Sequence, residues 1–462
     1  MSAVVDDIAG IAGRSAAPVA LAVGAATRTL AFGPSGTVTL GRFLGQVQAL
    51  AARLPEAPHA INLCEDRYRF LVAFCAAAVR GQVTLLPPSR APAAVAEVAQ
   101  RHPGSYRLDD AAVASAEPDP GPTPPLPQAE AAPLRIDRAA LAAIGFTSGS
   151  TGVPAPNPKT WDSLRTSTAQ NLAALRDLWP AGTPVHLVAT VPPQHMYGME
   201  LSVLLPLLAE VAVHAGRPFF PHDIAHALRQ APAPRLLVTT PVHLRALVQA
   251  CAADPGLRVP PLAGIVSATA PLPAALAAAA EARLGCEVRE LFGSTETCVI
   301  ARRRSARDEA WTPFPGVRLQ PQPDGSLVHA PQLPAPALLA DLVEIVDAAG
   351  RFRLRGRQAD LLEIAGKRAS LDDLTRRLQA VPGVVDGVVF QLDAAAAGGV
   401  RRIAALAVAP TLTPAAILQA LRQGIDPVFL PRPLRCVAAL PRNPTGKLPR
   451  AALLALLQTA SD

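Results

Sequence analysis

A chain of 462 residues is longer than the ~100 to 200 residues of a typical domain, so at least two domains are expected. Half of its residues are hydrophobic and only 17% are charged, which excludes a disordered protein and predicts large buried cores. The net charge of +7 has no basic block behind it: the densest run is "ARRRSAR" at 301–307, and aromatic residues make up 4%, so nucleic acid is excluded as a partner and the run is read as a solvated face.

In chain order, "SAAPVALAVGAAT" at 15–27 has a faint signal-peptide character, but Asp6 and Asp7 precede it and its apolar part is mostly Ala, Gly and Val. Cysteines at 64, 75, 251, 286, 298 and 436 make no CxxC pair and read as reduced thiols of a cytoplasmic protein. "EPDPGPTPPLPQ" at 117–128 is too rich in proline for an element interior and reads as a surface loop. From about 141 to 293 one theme repeats: a short apolar run, a loop of small or polar residues, then an amphipathic segment.

"LAAIGF" leads into "TSGSTG", "VHLVATV" into "PPQHMYG", "RLLVTT" into "PVHL", "GIVSATA" into "PLP", and "CEVRELF" into "GSTE". "HLRALVQACAA" and "PAALAAAAEARLG" are the clearest helices. Strands alternating with helices predict an α/β fold with mostly parallel sheets flanked by helices. In such sheets ligands bind outside the carboxyl ends of the strands, where all five loops would gather. The apolar stretch "LSVLLPLLAEVAV" at 201–213 is broken by Pro206 and Glu210 and falls short of the ~20 residues of a membrane span, so no stable membrane insertion is expected.

After about 357 the scale changes. "SLDDLTRRLQAV" opens on a capping-box pattern at Ser370 and Asp373, and "VVDGVVF", "RRIAALAVA" and "LRCVAAL" read as strands around a "TPAAILQALRQ" helix. This predicts a small α+β C-terminal domain at 357–462, following a large N-terminal domain at 1–356.

The loop Thr147, Ser148, Gly149, Ser150, Thr151, Gly152 has the make-up of an anion grip: glycines let the backbone present N–H groups, and hydroxyls add donors. The Walker pattern GxxxxGK[ST], the GxSxG nucleophile elbow and HExxH are all absent. On composition alone an ordinary glycine-serine turn is the commoner reading.

The ordered set "TSGSTG", "PPQHMYG", "ELFGSTE", "RLRGRQADLLEIAGKR" and "LPRNPTGKLPR" resembles the adenylate-forming superfamily of acyl-CoA synthetases, adenylation domains and luciferases. The stretches "INLCEDRYRFLVAFCAAAVRGQVTLLPPSRAP" and "TSGSTGVPAPNPKTW" look like the hydroxybenzoate AMP ligases of xanthomonadin and other aryl polyene pigments. The resemblance implies an ATP- and Mg²⁺-dependent ligase that joins an aromatic carboxylic acid, 4- or 3-hydroxybenzoate, to AMP. The acyl group would then pass to the phosphopantetheine thiol of an acyl carrier protein, with coenzyme A as the alternative acceptor.

It further implies that residues 147–152 hold the β- and γ-phosphates, that Glu296 binds Mg²⁺, and that Thr295 lies beside the α-phosphate. Ser267, Ala268, Thr269, Ala270 and Pro271, with Glu290, Leu291, Phe292, Gly293 and Ser294, would wall the adenine and acyl pockets, Phe292 stacking on the base. Asp341 would take the ribose, and Arg357 would donate to the same ribose or to phosphate. His195 would sit by the acyl carboxylate with Tyr197 and Gly198 lining the pocket, and Lys447 would bridge substrate carboxylate and α-phosphate.

Three positions depart from the family pattern. Ala155 follows Pro154 where the phosphate loop usually has lysine, so either Lys159 reaches back or that contact is dispensable. Glu363 replaces a lysine of "GRxxDxIK", and Ala359, next to Asp360, occupies the hinge position. A non-catalytic nucleotide- or acyl-binding module is the alternative from another class, disfavoured because Glu296, Asp341, Arg357 and Lys447 are retained together.

Overall fold

The computed structural model describes residues 17–115, 134–148, 154–357, 361–364, 367–395, 401–443 and 446–459. The proline-dense 117–128, the loop residues Gly149, Ser150, Thr151 and Gly152, and the hinge position Ala359 with Asp360 lie outside them. By internal contacts the chain divides into two compact units: Met1–Val317 with Ala330–Ala335, and Arg318–His329 with Pro336–Asp462. The strands between 318 and 357 therefore group by contacts with the later unit.

The first unit is built on two sheets flanked by helices. Six parallel strands form the centre of the larger one, in the spatial order Val288–Ser294, Gly264–Ser267, Arg235–Thr239, Val185–Ala189, Val211–His214, Thr29–Gly33. Cys298–Arg303 and Thr312–Pro313 extend it antiparallel at one side and Gly36–Thr39 at the other. Helices Pro221–Gln230, Pro241–Ala253 and Ala274–Leu284 bury Ile224, Leu228, Leu244, Leu247 and Ala277 against Val188, Leu237 and Ile265. The last of these helices ends at Gly285, whose φ of 68° is the left-handed cap that glycine adopts without strain.

The strand Leu141–Ser148 does not join this sheet. It lies in a second, five-stranded sheet ordered Tyr106–Leu108, His59–Asn62, Val83–Leu86, Leu141–Ser148, Pro154–Thr160. Its glycine-serine loop leads not into a helix but into the antiparallel strand Pro154–Thr160, with Thr147 opposite Ala155. Pro154, Pro156 and Pro158 fall on one phase of that strand. Proline has no N–H to give to a ladder, so this spacing suits an edge strand whose alternate groups have no neighbour. The helix expected after the loop begins only at Trp161, capped by Thr160, whose hydroxyl accepts from Ser163 N at 3.1 Å.

The apolar run at 201–213 is interior: Leu201, Val203, Leu204, Leu205 and Leu207 are wholly buried, and Val211–His214 is a central strand. No helix among the described residues is long and apolar enough to cross a membrane. In the segment with faint signal-peptide character, Val19–Ala20 pairs with Arg135–Ile136 and Leu21 is buried. The "ARRRSAR" run is not a solvated face. Arg303, the last residue of the strand Cys298–Arg303, and Arg304 just beyond it are partly buried in ion pairs with Glu290 and Glu281.

In the second unit, helix Leu371–Gln379 starts at Ser370, whose hydroxyl accepts from Asp373 N at 3.0 Å. The Asp373 carboxylate engages Arg376 and Arg377 of the same helix. Strands Asp386–Ala395, Arg401–Val408 and Leu434–Cys436 form a sheet that buries Val389, Ile403 and Ala405 against Leu374, Leu378 and Ile417. The chain is thus α/β, with mostly parallel sheets in its larger unit and a smaller α+β unit at the carboxyl end.

Candidate active site

The two sheets of the first unit approach one another at Gly145. A Cβ on Gly145 would lie 2.9 Å from Thr295 Cγ2 and 3.5 Å from Met196 Cε, so the strand that precedes the glycine-serine loop approaches two of the segments that follow strands of the larger sheet. Glycine is required by this close approach rather than by backbone angle. Thr147 is half-buried two residues further along the same strand. Of Ser148 only the backbone is described.

The segment after Val288–Ser294 is a tight turn. Ser294 and Thr297 close it on themselves: Thr297 N donates to Ser294 Oγ at 3.2 Å and Ser294 N to Thr297 Oγ1 at 3.3 Å. Thr295 and Glu296 ride at its tip, each half-buried. A Cβ on Gly293 would sit 2.2 Å from the carbonyl oxygen of Cys298, which only glycine allows. Cys298 itself holds φ at 61°, a left-handed conformation that costs a β-carbon residue on the order of 1–2 kcal/mol.

Remote side chains grip this turn at three points. Lys159 Nζ donates to Glu296 O at 2.6 Å, Gln332 Nε2 to Thr297 O at 3.0 Å, and Val299 N donates to Glu200 Oε1 at 3.1 Å. Glu200 is 1% exposed and also accepts from Asn171 Nδ2 at 2.8 Å and from the Ser167 hydroxyl. Burial pushes its carboxyl above the usual range, against the pull of these donors and of Lys159.

Glu290, expected in the pocket wall, turns inward. Its carboxylate accepts from Leu272 N at 2.9 Å, Arg303 Nε at 2.7 Å and Ser305 Oγ at 2.5 Å, so it shapes the neighbouring 267–272 loop from behind. That loop carries a second strained residue, Thr269, with φ of 80°. Ser267 is fully buried and its hydroxyl has no hydrogen-bond partner among the described residues. Ala268 is buried, Ala270 half-buried and Pro271 exposed. Leu291 is buried, and the half-buried Phe292 ring lies 5.4 Å from that of Trp311.

His195 is half-buried and caps the short helix Met196–Met199, where its carbonyl accepts from Met199 N at 2.7 Å. Tyr197 is buried and its hydroxyl donates to Val266 O at 3.0 Å, which ties this helix to the strand bearing Ser267. Burial drives its phenol well above the ordinary range, so it stays protonated. A Cβ on Gly198 would meet the Pro192 carbonyl at 2.0 Å; the bare Cα lets the "PPQH" loop fold back on the helix.

Beneath the loop, the fully buried Arg67 donates to Ala189 O at 2.9 Å, Val191 O at 2.8 Å and the Ser202 hydroxyl, bracketing the His195 segment on both sides. At the adjoining strand ends Thr190 Oγ1 lies 3.0 Å from Thr239 Oγ1 and Thr240 Oγ1 lies 2.9 Å from His243 Nδ1. Burial and the nearby Arg217 push the His243 imidazole down to about 4, so it is neutral.

In the second unit, the register of Asp341–Ile345 with Phe352–Arg357 places Asp341 directly opposite Arg357, joining two candidates 16 positions apart in sequence. Ser326 Oγ donates to Asp341 O at 2.6 Å. Lys447 is exposed; its N–H donates to Asn443 Oδ1 at 2.9 Å and its carbonyl accepts from Asn443 N at 2.9 Å. Gly446, with φ of 81°, makes the bend, and Arg442 fastens it by pairing with Asp386 at 2.9 Å.

Sequence reasoning missed Glu200, Gln332, Asn171 and Arg67, and left Lys159 undecided. A lone carboxylate within the apolar run "MELSVLLPLL" was the one signal for Glu200, since buried charges persist only where they are paired. Gln332 carries no such mark.

Residues 47–329 match the AMP-binding enzyme family. The 4-coumarate--CoA ligase of Rhodobacter capsulatus is 32% identical over 310 residues, covering 66% of this chain and 74% of that protein. ATP-bound MatB from Rhodopseudomonas palustris has the same fold at a TM-score of 0.74 and 19% identity, over 98% of both chains. The o-succinylbenzoate CoA synthetase of Bacillus subtilis, solved with its acyl-adenylate, matches at 0.73 and 17% identity over 92% of this chain and 95% of its own. The strand-end turns bearing Thr147, His195 and Glu296 fall inside the matched region, and the chain belongs to the AMP-binding enzyme family as an AMP-forming ligase.

Proposed function

We propose that the chain activates an aromatic carboxylic acid, 4- or 3-hydroxybenzoate, and passes the acyl group to the phosphopantetheine thiol of an acyl carrier protein in aryl polyene pigment synthesis. One carboxylate oxygen attacks the α-phosphorus of ATP, the bond to pyrophosphate breaks, and an acyl-adenylate forms. A thiolate then attacks the acyl carbon and AMP leaves. The first step brings two anions together, so donors and cations must be fixed beforehand where the charge develops.

The observation that carries this reading is the approach of Gly145, Met196 and Thr295, which brings hydroxyl donors, a half-buried carboxylate and the His195 helix to one set of strand ends. Thr147, Ser148, Gly149, Ser150, Thr151 and Gly152 would hold the outer phosphates, with Thr295 at the inner one. Mg²⁺ prefers hard oxygen ligands, and the half-buried carboxylate of Glu296 on a pinned turn suits it. When bound, the ion would neutralise phosphate charge. Phe292 and residues 267–271 would flank the adenine and acyl group, Asp341 and Arg357 would take the ribose, and Lys447 would separate the repelling anions. We place the functional boundary after 356, with a swing of residues 357–462 exchanging adenylation for thiol transfer.

Coenzyme A as acceptor is the second reading, favoured by the relative named 4-coumarate--CoA ligase. Acid-dependent exchange of labelled pyrophosphate into ATP, run over benzoates, cinnamates and fatty acids, tests the first step. Hydroxybenzoates should lead; dominance of a medium-chain fatty acid would sink the aromatic assignment. Single-turnover transfer to holo-carrier protein against free coenzyme A then decides the acceptor.

A further inference from the structure

Lys159 is a cation where the fold gives little reason for one. It is 4% exposed on the edge strand Pro154–Thr160, and a buried ammonium is costly unless something nearby compensates it. Its register partner is Ala143, whereas the glycine-serine loop departs beyond Thr147 opposite Ala155. Four residues of strand, at ~3.3 Å each, put Lys159 about 13 Å from the start of that loop, which is farther than a lysine side chain spans. It therefore does not replace the lysine missing after Pro154. Instead its ammonium donates to Glu296 O at 2.6 Å, the short range of a charge-assisted bond.

Further along the same turn, Gln332 holds Thr297 O, and the Glu200 carboxylate holds Val299 N at 3.1 Å. The field of Lys159 works against the effect of burial on the Glu200 carboxyl, and each of the two side chains fixes a backbone group of one turn. The left-handed φ of 61° at Cys298 is what such over-determination would sustain.

We infer that Lys159 is a positioning residue for adenylation: it fixes the carbonyl of Glu296, and thereby the direction of the Glu296 carboxylate, without touching nucleotide itself. This rests on the reading of Glu296 as an adenylation residue. Loss of the grip leaves the turn in place but free to rotate about the one residue whose aim matters.

The test uses the full chain with Lys159→Met, Glu296→Gln and the double variant, read by acid-dependent pyrophosphate exchange and by hydrogen exchange of the 294–300 peptide. Misplacement by an ångström costs up to ~10²-fold. Lys159→Met should lower the kcat of exchange about 10-fold or more at unchanged KM for ATP, and should cost less than about 2-fold further in the Glu296→Gln background. Its 297–299 amides should exchange faster, with strand Leu141–Ser148 unaltered. Multiplicative losses in the double variant, or a raised KM for ATP at intact kcat, would overturn the inference, the latter by putting the lysine on the nucleotide. If Lys159→Met does not fold, Lys159→Gln, which keeps a neutral donor, takes its place in the cycle, and the same results support or overturn the inference. A wild-type chain giving no exchange with any acid would defeat the proposed function alone, and the amide measurement would still judge the lysine.

Discussion

The turn at 294–299 and the segment around Lys447 carry the two charges of greatest interest, Glu296 and Lys447, and they are held differently. The first is held by side chains drawn from far along the chain: Lys159 and Glu200 are 137 and 99 positions from the groups they bind. Around the second, Asn443 accepts from the Lys447 N–H, Arg442 pairs with Asp386, 56 positions away, and Lys447 stands exposed. A group that must keep a fixed aim within a crowded site needs buried anchors on several elements. A group proposed to be carried by its own unit needs only anchors within that unit. The contrast suits the roles proposed above for the Glu296 carboxylate and the Lys447 ammonium.

The largest expected effect is on the Lys447 side. Lys447→Ala should lower acid-dependent pyrophosphate exchange by about 10² to 10³-fold, the scale for removing a preorganised group from developing charge. Its exposed position predicts a stability change within about 0.5 kcal/mol, read from the urea midpoint. A melting shift as large as the kinetic loss would place Lys447 among structural residues and erase the contrast.

On the anchored side the pattern should invert. Glu200→Ala strips partners from Val299 N, Asn171 and Ser167 inside the core, and should cost about 2 to 4 kcal/mol of unfolding free energy. Urea titration reads this directly. Little change in stability would mean that water or repacking satisfies the turn and that its shape does not depend on remote anchors.

The effect that is smallest at neutral pH sharpens the comparison on acidification. His243 has its folded value pushed from 6.5 to about 4, so between these the unfolded chain binds a proton that the folded chain does not. Its contribution is therefore complete above pH 6.5 and is lost as the pH falls toward 4, with a slope approaching about 1.4 kcal/mol per unit. His243→Gln should flatten the urea midpoint across this window while leaving the second unit's acid response unaltered.

The alternation of elements from 141 to 293 was readable because apolar runs and their following loops have a regular period. Which sheet each strand joins was not. Leu141–Ser148 has the same pattern as Val185–Ala189, and pairing partners are set by tertiary contact instead of local composition. The motifs singled out Thr295, Glu296 and His195, and all three lie on segments that follow strands of the larger sheet. Which way the Glu290 side chain turns was not readable, because "ELF" fixes neighbours in sequence but not which face of the strand meets the core. The anchors Gln332 and Asn171 were invisible: an amide looks the same in sequence whether it faces water or closes a turn. Asp341 and Arg357 were each singled out, yet only the hairpin register makes them opposite one another.

The proline phase of the strand Pro154–Thr160 has a consequence for the protein in solution. A strand at the rim of a sheet is ordinarily a template on which a second molecule can nucleate. Here Pro154, Pro156 and Pro158 leave that rim without the outward amide protons an incoming segment would need. Copies of the chain cannot zip together along this hairpin, so crowding or overexpression should not bury the loop it carries.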